Sequence, residues 1–188
     1  NLRVAVGSRE ELAGQIQTFA KVARVKKILA QSTVGLLANY NEAMWSTYID
    51  PYNLFTRIGP EMRFISYSTY ADTIAEISEK EFTGYKEELL AAYKIMDDVD
   101  IVKFDASVRA SIGLAKLAEQ YDVDVMVFND IDPAMFKLIG LRAGFYHPYF
   151  IRNSSVLVPE ADIGAGLITY VLKLISGKNV NFIEPFHI

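Results

Sequence analysis

Two carboxylates, Glu160 and Asp162, come directly after a short apolar run at residues 156–158 and a turn that begins with Pro159. A long apolar-faced segment then extends to Gly177, which predicts a strand, a sharp turn and a helix. The acids therefore lie at the carboxyl end of the strand, the edge at which open α/β sheets bind ligands. Two carboxylates there can hold a divalent cation or move protons. The alternative is that they only complement the positive N-terminus of the helix.

Polar side chains also follow two other predicted strands, in the loops that begin at Asn39 and Asn129. The first loop contains Met44 and Trp45, the only tryptophan of the chain. Aromatic rings beside Asn and Glu suit a sugar, whose apolar face packs on a ring while its hydroxyls take hydrogen bonds. The same rings can instead fill a domain interface. In the second loop, Asn129 and Asp130 can face a ligand, or the acids there can form the turn and cap before the next helix.

These groups can converge, because the carboxyl ends of parallel strands lie along one edge of a sheet. Oxygen ligands of this kind suit Mg²⁺ or Mn²⁺ rather than Zn²⁺. His147 is the one histidine away from the end of the chain. It can be a metal ligand or an acid and base, and the alternative is a structural histidine among tyrosines and a proline.

The composition limits the classes of protein that the chain can belong to. It has 188 residues, of which 51% are hydrophobic, with a net charge of −4 and no cysteine. That length can bury a proper core as one large α/β domain, or as one domain plus a fragment. The negative charge gives no reason to expect nucleic acid as a partner, and without a membrane-length apolar run we expect no membrane partner. The lack of cysteine excludes disulfides and thiolate metal sites and fits a cytoplasmic chain.

Strands alternate with helices, which predicts a parallel sheet covered on both faces. A capping box of Ser8 and Glu11 opens a helix that runs to about residue 30. The predicted strands are 33–38, 62–67, 123–128, 156–158 and 180–183, and the further helices are 69–77, 84–96, one from Asp105 or Ser107 to 120, 134–141, and the one after Pro159, with 101–104 a strand or a lead-in. We expect an α/β fold, a three-layer open parallel sheet of Rossmann-like or flavodoxin-like type. The sequence contains no Gly-rich phosphate loop and no nucleophile elbow.

Three stretches resemble the L-fucose and L-arabinose isomerase superfamily. The sequence PEADIGAGLITYVLKLISGK at 159–178, followed by VNFIEP, is similar to the segment in which an E-x-D motif opens a helix. Residues 36–51 look like the loop after the first strand of the family's second domain, and residues 106–130 look like the helix and strand before its first catalytic acid. The resemblance implies that residues 1–31 are the tail of an N-terminal domain, that 32–188 form the central α/β domain, and that a C-terminal domain is missing.

The resemblance implies an aldose–ketose isomerase that uses Mn²⁺ and a cis-enediol, forming a trimer or hexamer. Asp162 matches the metal-binding Asp, Glu160 is the conjoined acid of the motif, and Met44 lies near a sugar-contacting Met. No Glu lies between Asn129 and Val158 for the family's second acidic ligand. The alternatives are therefore a non-catalytic sugar-binding or regulatory relative that has lost one acid, and an interaction domain whose acids are helix caps.

Overall fold

The computed structural model describes residues 4–140 and 147–183. These residues form a four-stranded parallel sheet with the strand order β2-β1-β3-β4. The strands are β1 (Thr33–Leu37), β2 (Glu61–Ile65), β3 (Val125–Phe128) and β4 (Val156–Val158). The α/β open parallel sheet predicted from the sequence is confirmed.

Helices cover both faces of the sheet. They are α1 (Arg9–Leu29), α2 (Pro51–Arg57), α3 (Tyr67–Ala75), α4 (Glu79–Ala92), α5 (Ile101–Gln120), α6 (Pro133–Ile139), α7 (Pro148–Arg152) and α8 (Ile163–Ser176). On one face, residues of α3, α5 and α6 form a core with Leu37 and Phe128. On the other face, residues of α2 and α8 form a second core with Leu36 and Val127. The result is three layers.

Three strands, including the edge strand β4, are largely apolar because both of their faces are buried. Every residue of β1, β3 and β4 is buried. In a strand covered on both sides, each direction in which a side chain can point leads into a core, so alternation of polar and apolar residues disappears. The edge strand β2 differs, since Arg63 and Phe64 are exposed.

Asp124 joins the amino ends of three strands and α8. Its Oδ2 accepts a hydrogen bond from the Thr33 N–H at 2.9 Å, and its main-chain carbonyl accepts one from the Val156 N–H at 2.8 Å. Its Oδ1 accepts from the Tyr170 hydroxyl at 3.0 Å. Burial, and then the neighbouring Asp124 carboxylate, raise the pKa of Tyr170, so this hydroxyl stays a donor.

The start of α5 differs from the sequence prediction. Asp100 is its N-cap, with Oδ1 accepting from the Val102 and Lys103 N–H groups at 3.0 and 3.2 Å. The caps predicted at Asp105 or Ser107 are therefore wrong, and residues 101–104 belong to the helix. The sequence does not single out Asp100, because the polar stretch before it is typical of a loop and does not indicate where the next helix begins.

One predicted strand is absent from the described residues, and two short helices are additional to the prediction. Residues 180–183 form no strand in the part of the chain that the structure describes, so the predicted fifth strand is wrong. The helices α2 and α7 were not predicted, although Asp50 before Pro51 is a helix-start signal. The capping box at the start of α1 is confirmed, because Ser8 Oγ accepts from the Glu11 N–H and the Glu11 carboxylate accepts from the Ser8 N–H.

Close packing fixes α8 on the sheet at Gly166. A Cβ added there would lie 2.8 Å from Val125 Cγ1 and 2.9 Å from Val127 Cγ1. The helix therefore approaches β3 more closely than any residue with a side chain allows. Although α8 is strongly apolar, no helix within the described ranges is long and apolar enough to cross a membrane.

We expect Gly166→Ala to lower the free energy of unfolding by about 1–3 kcal/mol, because the added methyl overpacks the contact with β3. Gly84→Ala in α4 is the matched control, since a Cβ there meets nothing within 4 Å. It should raise stability by up to about 1 kcal/mol through helix propensity. Urea unfolding followed by circular dichroism measures both. Equal stability of Gly166→Ala and the wild type would contradict the close packing of α8.

Candidate functional site

The connections that follow β1 and β3 diverge at the carboxyl edge of the sheet. From β1 the chain forms β2 on one side, and it later returns to place β3 on the other side of β1. The segments that follow β1 and β3 therefore lead away from each other, and ligands of open α/β sheets bind at this position. We call it the switch point, formed by residues 38–50 after β1 and residues 129–132 after β3.

Asn129 connects the two segments of the switch point. Its Nδ2 donates to the main-chain carbonyl of Tyr40 at 3.2 Å and lies 3.4 Å from Oδ1 of Asn39. The side chain is buried, with 3% of its surface exposed. The structure thus places Asn129, which the sequence analysis proposed for ligand contact, against the loop after β1.

Two buried polar atoms of the switch point have no hydrogen-bond partner among residues 4–140 and 147–183, the Oδ1 of Asn129 and the Nδ2 of Asn41. Asn41 is as deeply buried as Asn129, at 3% exposed, and its own Oδ1 accepts from the Ala43 N–H at 3.1 Å. Leaving a buried polar group unpaired costs about 1–3 kcal/mol, so nearly all such groups are paired in folded proteins. A hydroxyl group can satisfy both kinds of atom, because it donates and accepts.

Aromatic side chains surround the segment after β1. The rings of Tyr40 and Tyr48 lie 4.7 Å apart, and the Tyr40 hydroxyl donates to the Ile49 carbonyl at 3.4 Å. Burial raises the pKa of Tyr40, which therefore stays protonated. Farther out, Met44 is 37% exposed and Trp45 is 81% exposed. The described chain leaves Trp45 uncovered, so both of its predicted roles, sugar stacking and an interface contact, stay open.

The backbone at this edge adopts conformations that side chains disfavour. Ala38 follows β1 with φ of 71°, and Glu160 and Ala161 follow β4 with φ of 61° and 53°. The Ala38 N–H donates to the Ile65 carbonyl and the Ala161 N–H to the Phe128 carbonyl, both at 2.8 Å. Such residues cost about 1–3 kcal/mol each and persist where neighbouring contacts fix them, often at functional sites.

Two of the predicted acids, Asp130 and Glu160, are linked at the carboxyl edge through the main chain of Glu160. Asp130 and Glu160 are both buried, and Oδ1 of Asp130 accepts from the Glu160 N–H at 2.9 Å. The ends of β3 and β4 are joined in this way.

Other acids of this edge are helix caps. Asp162 is the N-cap of α8, with Oδ1 accepting from the Ala165 N–H at 2.8 Å. Asp132 is the N-cap of α6, with Oδ1 accepting from the Ala134 and Met135 N–H groups at 2.9 and 3.1 Å. The capping alternative of the sequence analysis is confirmed for both residues. A second role of Asp162 as a metal ligand stays a prediction.

The described residues do not by themselves provide a ligand set for Mn²⁺. Within 4–140 and 147–183, no group of three or more His, Cys, Asp or Glu side chains is placed to hold a metal ion. One oxygen of Asp162 is already bonded to the helix N-terminus. Mn²⁺ binding by Asp162 and Glu160 therefore stays a prediction.

His147 has a structural position at the start of α7. Its Nδ1 accepts from the Tyr149 N–H at 3.2 Å, and its ring lies 4.5 Å from that of Tyr85. Burial lowers the pKa of His147, which favours the neutral ring that this bond requires. The structural alternative of the sequence analysis describes this residue correctly.

The sequence predicts a polar loop after β1 but does not distinguish Asn41 from its neighbours in that loop. The available signal was the Asn-Tyr-Asn tripeptide directly after a buried strand. Asn41 becomes a candidate only because Asn129, which follows β3, lies near the same loop. The strand order places β3 beside β1, and the sequence does not show this order.

Comparison with known proteins adds no family assignment. No protein-family model matches the chain, and no curated protein matches it. The resemblance to the L-fucose and L-arabinose isomerase superfamily therefore stays a prediction that depends on the quoted motifs.

We expect Asp162→Ala to lower the free energy of unfolding by about 0.5–2 kcal/mol, because the first turn of α8 loses its capping acceptor. Asp162→Asn should unfold like the wild type, since Asn caps a helix about as well as Asp does. Thermal or urea unfolding of the two variants makes the comparison. Equal losses in both variants would show that the negative charge, and not the capping bond, stabilises the helix.

Proposed function

We propose that this chain binds a small polyhydroxylated ligand, a sugar, at the switch point. One observation carries the proposal: an acceptor, Asn129 Oδ1, and a donor, Asn41 Nδ2, are buried there and find no partner in the part of the chain that the structure describes. A sugar presents several hydroxyl groups, each of which donates and accepts, so neighbouring hydroxyls can pair with both amides. Binding would then remove the penalty of the two unpaired groups.

The surroundings favour a neutral sugar over an anionic ligand. The tyrosines of the loop after β1 offer ring faces on which the apolar side of a sugar can pack. Asp130 and Glu160 lie at the same edge of the sheet, and carboxyl groups disfavour a phosphate or carboxylate nearby. The net charge of −4 also disfavours an anionic ligand, at longer range.

We expect Asn41→Asp to weaken sugar binding about tenfold, which corresponds to one hydrogen bond of about 1.4 kcal/mol. The substitution keeps the acceptor that pairs with the Ala43 N–H but replaces the unpaired donor by an oxygen. Calorimetric titration with a panel of aldoses and ketoses measures the affinity. Asn53→Asp on the exposed side of α2 adds the same charge outside the switch point and should bind like the wild type.

Two outcomes contradict the proposal. No heat of binding with any sugar in the panel would mean that the unpaired amides do not recognise hydroxyls. Equal affinity of Asn41→Asp and the wild type would mean that a sugar binds elsewhere. Urea unfolding of each variant accompanies the titration, so that a loss of fold is not read as a loss of contact.

An aldose–ketose isomerase is the second candidate function, and the burial of two acids, Asp130 and Glu160, at the same edge of the sheet favours it. In that reaction a carboxylate takes a proton from the carbon beside the carbonyl and returns it to the carbonyl carbon through a cis-enediol. Asp130 and Glu160 are the buried acids of this edge that could carry such a transfer. In this candidate, Mn²⁺ bound with the help of Asp162 and Glu160 would supply the Lewis acid.

We expect Asp162→Asn to weaken Mn²⁺ binding at least tenfold if the metal site is real, because the amide keeps the capping bond but loses the charge. Calorimetry with Mn²⁺ alone, then with Mn²⁺ and the bound sugar, gives the affinity. Exchange of deuterium from solvent into the sugar reports proton transfer directly. Sugar binding without Mn²⁺ binding or exchange would leave a binding protein and end the isomerase candidate.

A further inference from the structure

Three aromatic rings in contact extend from the loop after β1 to the edge strand β2. The ring of Tyr40 is in the middle, 4.7 Å from the ring of Tyr48 and 6.2 Å from the ring of Phe64. Tyr48 is 45% exposed and Phe64 is 58% exposed. Each outer ring therefore contacts Tyr40 and still leaves much of its surface open to a ligand. We call these three residues the aromatic row.

The aromatic row is continuous with the switch point through Tyr40. The main-chain carbonyl of Tyr40 accepts the hydrogen bond from Asn129 Nδ2, and the Oδ1 of the same amide has no partner within the described residues. A ligand group that pairs with Asn129 Oδ1 thus lies near the residue whose ring is the middle of the row. A larger ligand can therefore extend from the switch point onto the aromatic row.

The width of the sheet separates Phe64 from the switch point. Asn129 directly follows β3, whereas Phe64 lies in β2, and β1 is between these two strands. Neighbouring strands are about 4.8 Å apart, so two spacings place Phe64 roughly 10 Å across the sheet from β3. A single sugar ring, which is about as wide as a phenyl ring, does not span that distance. Two linked sugars do.

The charged side chains of β2 point away from the aromatic row. Successive side chains of a strand point to opposite faces of the sheet. The guanidinium of Arg63 donates to the main-chain carbonyl of Tyr121 at the end of α5, while Met62 packs against the core on the face of α2 and α8. Phe64 points to the same face as Met62. The part of β2 beside the aromatic row is therefore uncharged, which suits a neutral ligand.

An acceptor for hydroxyl groups lies close to the rings. Burial, and then the neighbouring Tyr48 and Asp50, raise the pKa of Tyr40, so the Asp50 carboxylate is near the middle of the row. Its Oδ1 caps α2 by accepting from the Asn53 N–H at 2.7 Å. A carboxylate has a second oxygen that can accept from a hydroxyl group. Half-exposed rings beside such an acceptor suit a sugar, which has apolar faces and hydroxyl groups on its rim.

We propose that the ligand of the switch point is an oligosaccharide of at least two sugars. Its terminal sugar pairs with Asn41 and Asn129, and the next sugar packs on the aromatic row at Phe64. This inference rests on the proposed function, because the row extends the same site. Phe64 is then the residue that selects for chain length, and β2 takes part in recognition although it lies outside the switch point.

Calorimetry with matched monosaccharides and disaccharides tests the chain length. Maltose, cellobiose and lactose are compared with the monosaccharides that compose them. At least one disaccharide should bind the wild type up to about tenfold more tightly than its own monosaccharides, because a second sugar gains the contact with an aromatic ring.

Phe64→Ala should remove this gain and leave the affinity for monosaccharides unchanged, whereas Phe64→Tyr should keep the gain because it keeps the ring. Tyr93→Ala is the matched control, since it removes a ring that is 67% exposed at the end of α4 and should bind like the wild type. Urea unfolding of each variant shows whether the fold is kept.

The possible failures of this inference and of the proposed function differ. Disaccharides that bind no more tightly than monosaccharides would overturn the inference, while sugar binding that Asn41→Asp weakens would still support the proposed function. Equal losses for both sugar lengths in Phe64→Ala would also overturn it, because the ring would then support the switch point itself. If no sugar binds, both fail. A lower mass of Phe64→Ala in sedimentation would assign the ring to a contact between copies and reject the second sugar.

Discussion

Burial of β1 and β3 on both faces is the constraint on which the rest of this structure depends. Strands that are apolar throughout must be covered by helices on each side, and parallel strands need long crossover connections to provide them. With the order β2-β1-β3-β4, the crossovers that follow β1 and β3 lead in opposite directions. The loops after β1 and β3 therefore diverge at the carboxyl edge of the sheet. Polar side chains such as Asn41 and Asn129 lie in these loops.

The same constraint explains what happens to the acids of that edge. Each strand is followed by a helix whose first N–H groups need an acceptor. Asp162, Asp132, Asp50 and Ser66 all provide one. Within the described residues, the buried side-chain atoms of this edge that stay unpaired belong to the amides of Asn41 and Asn129, not to the carboxylates that first attract attention in the sequence. Asp130 does not cap a helix, but its Oδ1 accepts a hydrogen bond from the main-chain N–H of Glu160.

Structural elements whose sequence signals come from neighbouring residues were predicted correctly. The capping box at Ser8, the buried strands and the helix after Asp162 were predicted correctly because periodicity and capping depend on neighbouring residues. The predicted strand at 180–183 was wrong, since an apolar run becomes a strand only beside a strand that can pair with it. The unpaired atoms of Asn41 and Asn129 could not be predicted, because they depend on which segments the fold brings together and on which hydrogen bonds those segments leave unmade.

The bond from the Thr33 N–H to Asp124 joins residues 91 positions apart in the chain, and it belongs to the pairing of β1 with β3. Closing so long a segment costs chain entropy before any contact is gained. We therefore expect β1, α2 and β2, which are close in sequence, to assemble before β3 arrives. The switch point then exists only after the slowest step of folding. A ligand held there would act mainly by slowing unfolding, so its effect would be kinetic persistence of the native state and not faster folding.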